Sequence, residues 1–274
     1  MTLSPDALRA RSPEGIELIG VSKRFAGKAG VTAALDDLTI SVAEGEFVAI
    51  LGPSGCGKST ALRIAAGLET YDSGTVRVGG GDPAELISSG ELGVAFQDNA
   101  LLPWLSVRAN IELPFRLARR PVDSNRVTEL LGLVGLREFA NARPAELSGG
   151  MKQRVSIARS IALNPRVLLL DEPFGALDAV TRHRLNVELG RILGERRTTT
   201  LLVTHAVDEA VFLADRVVVM SGRPGRVKQT VDIPFGPSRT KDLLAQHEFQ
   251  HIVASLTEAL DQTLVGSPGV ASRS

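Results

Sequence analysis

One cysteine, Cys56, is all that a chain of 274 residues carries. That count excludes an intramolecular disulfide framework and fits a reducing compartment. Net charge is also missing: thirty-one basic residues balance thirty-one acidic ones. No global field therefore draws the chain to nucleic acid or to an anionic membrane. No run of about 18 apolar residues occurs, so no segment reads as a membrane-spanning helix. The opening "MTLSPDALRARSPEG" lacks the apolar stretch of a signal peptide, and neither internal repeats nor low-complexity blocks are found. These absences describe a soluble intracellular protein. A hydrophobic share of 43% is enough for a substantial core, in one large domain or a domain with an embedded subdomain.

Residues 1–13 are polar, with proline and serine, and read as a loose tail. "GIELIGVSKRF" and "AALDDLTISV" alternate apolar and polar residues, as half-buried strands do. "FVAIL" (Phe47–Leu51) is continuously apolar, as expected of a strand buried on both faces, and runs through a glycine loop into a helix over Lys58–Gly67. "GTVRVGG" and "GVAFQ" are further short strands. Over 98–163 strand signals give way to helical periodicity in "SVRANIELPFRLARR" and "VTELLGLVGL". Strands return at "VLLL", "TLLVT" and "RVVVM", separated by helices over Asp178–Glu195 and Ala206–Leu213. Apolar strands alternating with helices imply an α/β fold with a parallel sheet and helices on both faces. The core then spans 14–97 and 164–235, with 98–163 inserted as a helical subdomain; residues 236–274 form a C-terminal tail, helical over Lys241–Leu264 and frayed at "GSPGVASRS".

"GPSGCGKST" fits the pattern G-x-x-x-x-G-K-S/T, between a buried strand and a helix, which is the context a phosphate-binding loop requires. The candidate nucleotide contacts are Gly52, Pro53, Ser54, Gly55, Cys56, Gly57, Lys58, Ser59 and Thr60. Glycines let the backbone wrap a polyphosphate with N–H groups inward. Lys58 supplies a point charge to the β- and γ-phosphates, and Ser59 a hydroxyl to Mg²⁺. Cys56 is either a redox switch or a small tolerated side chain.

"RVLLLDEPFGALD" sets Asp171 and Glu172 at the C-terminal end of an apolar strand, the ligand edge of an open α/β sheet. Asp171 suits direct or outer-sphere Mg²⁺ binding, and Glu172 suits a general base on an attacking water. Gln97 after "GVAF" and His205 after "LLVT" end strands in the same way. Either could reach a γ-phosphate or its water from one rim.

A second glycine site follows at "ELSGGMKQR". Ser148, Gly149 and Gly150 open a helix and would offer N–H groups and a hydroxyl to phosphate oxygens. With no lysine and no metal ligand they make a poor independent site. Two readings remain: a simple N-cap, or half of a site that closes over ATP held by a second subunit arranged head to tail.

"GPSGCGKST", Gln97, "LSGGM", "LLLDEP", "GALD" and His205 stand in the order and spacing of the ATP-binding subunits of ABC transporters, and the chain resembles that family over about 14–235. The resemblance implies a P-loop NTPase (RecA-like) core with a mostly parallel sheet, an N-terminal antiparallel β region and an inserted α-helical subdomain. It also implies ATP hydrolysis with Mg²⁺ at a dimer interface. Phe25 would stack on adenine, Gln97 would link Mg²⁺ to the transporter, His205 would contact the γ-phosphate and Asp178 would belong to the loop that crosses between subunits. "LLPWLSVRANIELP", "DEPFGALDAVTRHRL" and "MSGRPGRV" are similar to subunits that power nitrate, sulfonate and taurine uptake. Met151 departs from the superfamily, which mostly has glutamine there; a thioether cannot make that amide's hydrogen bonds.

Trp104, the single tryptophan, is either a core residue or part of a groove for a cytoplasmic helix of a membrane partner. The partners implied are a paired ATPase subunit, permease subunits and, indirectly, an extracytoplasmic solute-binding protein. The chain would sit at the cytoplasmic face of the inner membrane through the permease. Import of another solute is an alternative. An ABC-type ATPase acting on DNA or the ribosome would carry a long coiled coil or two cassettes, and a P-loop GTPase an Asn-Lys-x-Asp motif; neither is present.

Overall fold

The computed structural model describes residues 15–27, 30–236 and 239–265. The expected loose start over 1–13 and the frayed end after 265 lie outside the described residues.

The chain begins with strands β1 (Ile16–Gly27), β2 (Gly30–Val42) and β3 (Phe47–Leu51), followed by helix α1 (Lys58–Ala65). Next come β4 (Ser73–Val78), α2 (Pro83–Ser89) and β5 (Leu92–Ala95). Three helices follow: α3 (Val107–Leu117), α4 (Ser124–Leu133) and α5 (Gly149–Ser160). Then β6 (Val167–Asp171), α6 (Ala179–Arg196), β7 (Thr199–Val203), α7 (Val207–Leu213) and β8 (Arg216–Met220) alternate, before β9 (Val227–Asp232) and α8 (His247–Val265).

Two sheets result. β2-β1-β4 is antiparallel, and β5-β6-β7-β3-β8-β9 is parallel except for β9, which runs antiparallel to β8 at the edge. The four inner strands β6, β7, β3 and β8 are buried at every residue. Because successive side chains point to opposite faces, each of these strands feeds two cores. Phe47, Ala49 and Leu51 of β3 join Leu168, Leu170, Val217 and Val219 under the helices of the α3–α8 side. Val48 and Ile50 join Leu169, Leu201 and Val218 beneath the antiparallel sheet and α1. The second face is therefore covered by α1 together with a sheet, and not by helices alone.

Three elements depart from the sequence expectations. α2 was not foreseen, although its punctuation is present: the Asp82 carboxylate accepts from Ala84 N–H at 2.7 Å, Pro83 opens the helix and Gly90 closes it at φ 78°. β9 was not foreseen because "VKQTVD" is mostly exposed, with no buried residue, as an edge strand can be. The C-terminal helix starts at His247, since a 3₁₀ turn over Lys241–Ala245 ends at an extended Gln246. This helix is docked: Phe249 and Leu256 are buried in the helical-side core. Arg239 precedes it and donates to the carbonyls of Phe212 and Ala214, both at 2.9 Å, where α7 ends.

Candidate functional site

The glycine loop leaves β3 and enters α1 through Gly57, whose φ of 108° lies in the left-handed region. A Cβ there would stand 2.6 Å from the Ala34 carbonyl oxygen, so glycine is required twice over. Lys58 is 6% exposed, and its ammonium donates to the carbonyls of Gly52 at 2.7 Å and Pro53 at 3.0 Å. Gly52 and Cys56 are buried under the loop, while Ser54 and Gly55 are exposed. Burial pushes the Cys56 thiol up, against the lowering charge of Lys58. Burial and the disfavoured thiolate are what a small tolerated side chain in the loop would show.

Asp171 closes β6 and is buried; its Oδ1 accepts from the Ser59 hydroxyl at 2.9 Å. Burial raises its pKa, the Ser59 hydrogen bond opposes that, and the Glu172 charge adds to it. Glu172 turns out of the strand with φ 47°, and its N–H donates to the Val203 carbonyl of β7 at 2.8 Å. Its Oε2 lies 3.3 Å from Gln97 Nε2 and 3.4 Å from His205 Nδ1. The ends of β5, β6 and β7 thus bring three polar side chains to one point.

That point is one wall of a cleft of about 670 Å³ whose lining includes Phe25, Lys58, Ser59, Thr60, Gln97, Glu172 and His205. Phe25 is partly exposed, with the Lys23 ammonium 4.9 Å from its ring centroid. Thr32, Ala34 and Arg223 also line the cleft and were missed in the sequence. Arg223 sits in the loop after β8, where its Nε donates to the Gly55 carbonyl at 3.1 Å. Nothing local in "MSGRPGRV" announces a partner so far away in the chain.

Ser59, Asp171 and Gln97 offer hydroxyl, carboxylate and amide oxygen, hard donors of the kind Mg²⁺ takes alongside substrate phosphates. Among the described residues no group of three or more His, Cys, Asp or Glu could hold a metal ion. The three donors leave room for phosphate oxygens to complete the shell of such a cation.

Ser148 caps α5, accepting from Met151 N–H at 3.2 Å. It does not line the cleft, and neither do Gly149, Gly150 and Asp178. A Cβ on Gly150 would stand 3.0 Å from the Ala176 carbonyl oxygen, whereas one on Gly149 would meet nothing within 4 Å among the described residues. Met151 packs half-buried on the helical-side core. Asp178 caps α6 through Val180 and Thr181 N–H at 3.1 and 3.0 Å, and these bonds, Thr181 first, hold its pKa down. Trp104 is 68% exposed, which removes its core reading.

Residues 35–175 match the family model described as ABC transporter. The nitrate import ATP-binding protein NrtD of Synechococcus elongatus is 43% identical over 246 residues, 88% of this chain and 88% of the relative. The aliphatic sulfonates import ATP-binding protein SsuB of Bacillus licheniformis is 44% identical over 226 residues, 81% and 87% of the two chains. The taurine import ATP-binding protein TauB of Pseudomonas aeruginosa is 45% identical over 217 residues, 78% and 82%. Among solved structures, a dimeric bacterial ABC transporter cassette superposes with a TM-score of 0.73 at 34% identity, over 81% of this chain and all of the other.

Proposed function

The chain belongs to the ABC transporter family, and from that premise we propose that it is the ATP-binding and ATP-hydrolysing subunit of an importer for a small anionic solute of the nitrate, sulfonate or taurine type. The relatives named for those solutes support the solute class. The observation that carries the ATPase reading is the meeting of Gln97, Glu172 and His205 on the cleft that also holds Lys58.

In this reading Phe25 stacks on adenine, and the loop from Gly52 to Thr60 wraps the phosphates. Lys58 leaves its two carbonyl partners for β- and γ-phosphate oxygens. Glu172 accepts a proton from the attacking water as general base, with His205 holding the γ-phosphate. Mg²⁺, held by Ser59 and Gln97 with Asp171, would neutralise charge on the phosphates.

The helix start at Ser148–Gly150 serves the ATP of a second copy, and Asp178 lies at the crossing between copies. Gly149 supports this, because nothing described in its own chain needs glycine there. A dimeric cassette of 34% identity supports the same arrangement. No helix of the described residues is long and apolar enough to cross a membrane. Transport then requires permease subunits, which bring this chain to the membrane and couple to it through the region of Gln97 and Trp104; a solute-binding protein acts on the far side. Uptake of labelled nitrate and of alkanesulfonates by a deletion strain tests the proposal. Uptake of one of them should vanish, and return with the parent chain but not with Lys58→Ala. Unchanged uptake of all of them contradicts the solute class.

A further inference from the structure

Gln153 is 4% exposed and lies on the inner side of α5, a little more than one turn beyond Ser148. Its Nε2 donates to the Glu172 carbonyl at 2.7 Å, and its Oε1 accepts from the Ala176 N–H at 2.8 Å. One amide thus spans the turn that carries Glu172 out of β6. That turn needs holding: Glu172 has φ 47°, a strained region for a residue with a Cβ, which persists only where its surroundings impose it. Inside the turn the Glu172 carbonyl receives only the longer bond from Gly175 N–H, at 3.2 Å. An amide donates at one end and accepts at the other whatever the pH, which suits both bonds at once. The start of α5 presses on the same turn, since a Cβ on Gly150 would stand 3.0 Å from the Ala176 carbonyl oxygen.

We infer that Gln153 is a positioning residue, which fixes the backbone of Glu172 so that its carboxylate faces the cleft, and ties that geometry to the helix start that meets the other copy's nucleotide. A shift of Ser148–Gly150 on closure would reach Glu172 of the same chain through this amide, linking the state of one cleft to the other. The inference rests on the proposed roles of Glu172 and of the helix start.

The test is a double-mutant cycle on the full chain with ATP and Mg²⁺. Gln153→Met keeps the volume and removes both hydrogen bonds. Gln153→Glu keeps the acceptor for Ala176 and, while ionised, has no donor for Glu172; it serves if the methionine variant does not fold. Each should lower kcat by roughly tenfold to a hundredfold, as small misplacements of a reacting group do, with KM within about twofold as expected for a group acting only on the reacting geometry. Placed on Glu172→Gln, either should lower the residual rate no further. Parent kcat in a folded Gln153 variant, or a full additional loss on the Glu172→Gln background, overturns the inference while leaving the base assignment intact. Parent turnover by Glu172→Gln itself overturns the base assignment, and this inference with it.

Discussion

Lys58 donates to two carbonyls of its own loop, and in the proposed reading it exchanges these dipoles for phosphate oxygens that carry negative charge, the stronger partners for an ammonium. Lys58→Ala should therefore weaken ATP binding by roughly 10- to 100-fold in a calorimetric titration; unchanged affinity contradicts the cradle. Glu172→Gln should bind ATP as the parent does and lose roughly 10²–10⁴ in turnover, the range of a general base, with nucleotide-bound dimers accumulating in size exclusion. Residues of this kind were legible because the motif places them at fixed offsets between a strand and a helix. Glu209 was not. It is 3% exposed, its Oε1 has no hydrogen-bond partner among the described residues, and burial pushes its pKa up to about 8. The Thr204 hydroxyl and the Arg182 charge pull it down, while Asp208 and Glu172 push it further up. Burial favours the protonated acid, so its contribution to stability is full below the usual carboxylate value and is lost as pH rises through about 8. Glu209→Gln stays neutral, so between pH 5 and pH 8.5 the parent should lose more of its melting temperature than the variant does. Parallel profiles contradict the raised pKa.

Elements buried on both faces could be read directly: "FVAIL" and "VLLLD" are apolar at nearly every position because two cores receive them. Elements with one wet face were harder. β9 offers only half-buried valines at an edge, and α2 is too short for a period to register although its caps were present. The C-terminal helix was seen as a helix, but its docking was not, because an amphipathic pattern does not say which surface receives it. Phe249 makes that docking testable: Phe249→Ala should lower stability by about 3–5 kcal/mol in denaturant unfolding, the cost of emptying a core phenylalanine. A loss under about 1 kcal/mol, the size of a surface change, would mean that α8 is peripheral to the core. The cap at Ser148 gives a contrasting expectation. Ser148→Ala should cost only about 1 kcal/mol of stability, as a lost N-cap does, yet reduce turnover far more than that loss of stability can explain.

At the scale of the whole molecule a single chain holds one complete cradle and one helix start that does not face it. The sequence pointed to this through a glycine pair without a lysine, and Gly149, with open space around it, keeps the puzzle in structural form. In the proposed arrangement the other half of that contact belongs to a second copy. Trp104, exposed beyond the Gln97 strand end, poses the same question for the permease. Trp104→Ala should leave basal hydrolysis unchanged and reduce co-purification with the membrane subunits; intact assembly would remove it from that contact. The central claim is that each copy completes the other's reaction centre. Its most direct test pairs two inactive chains, Glu172→Gln and Ser148→Arg, each carrying its own affinity tag, and measures ATP hydrolysis by the doubly purified heterodimer. One of its two clefts has an intact Glu172 and an intact helix start from the other chain, so the rate should return to about half the parent's if the clefts turn over independently. A heterodimer as inactive as its parts would contradict the account.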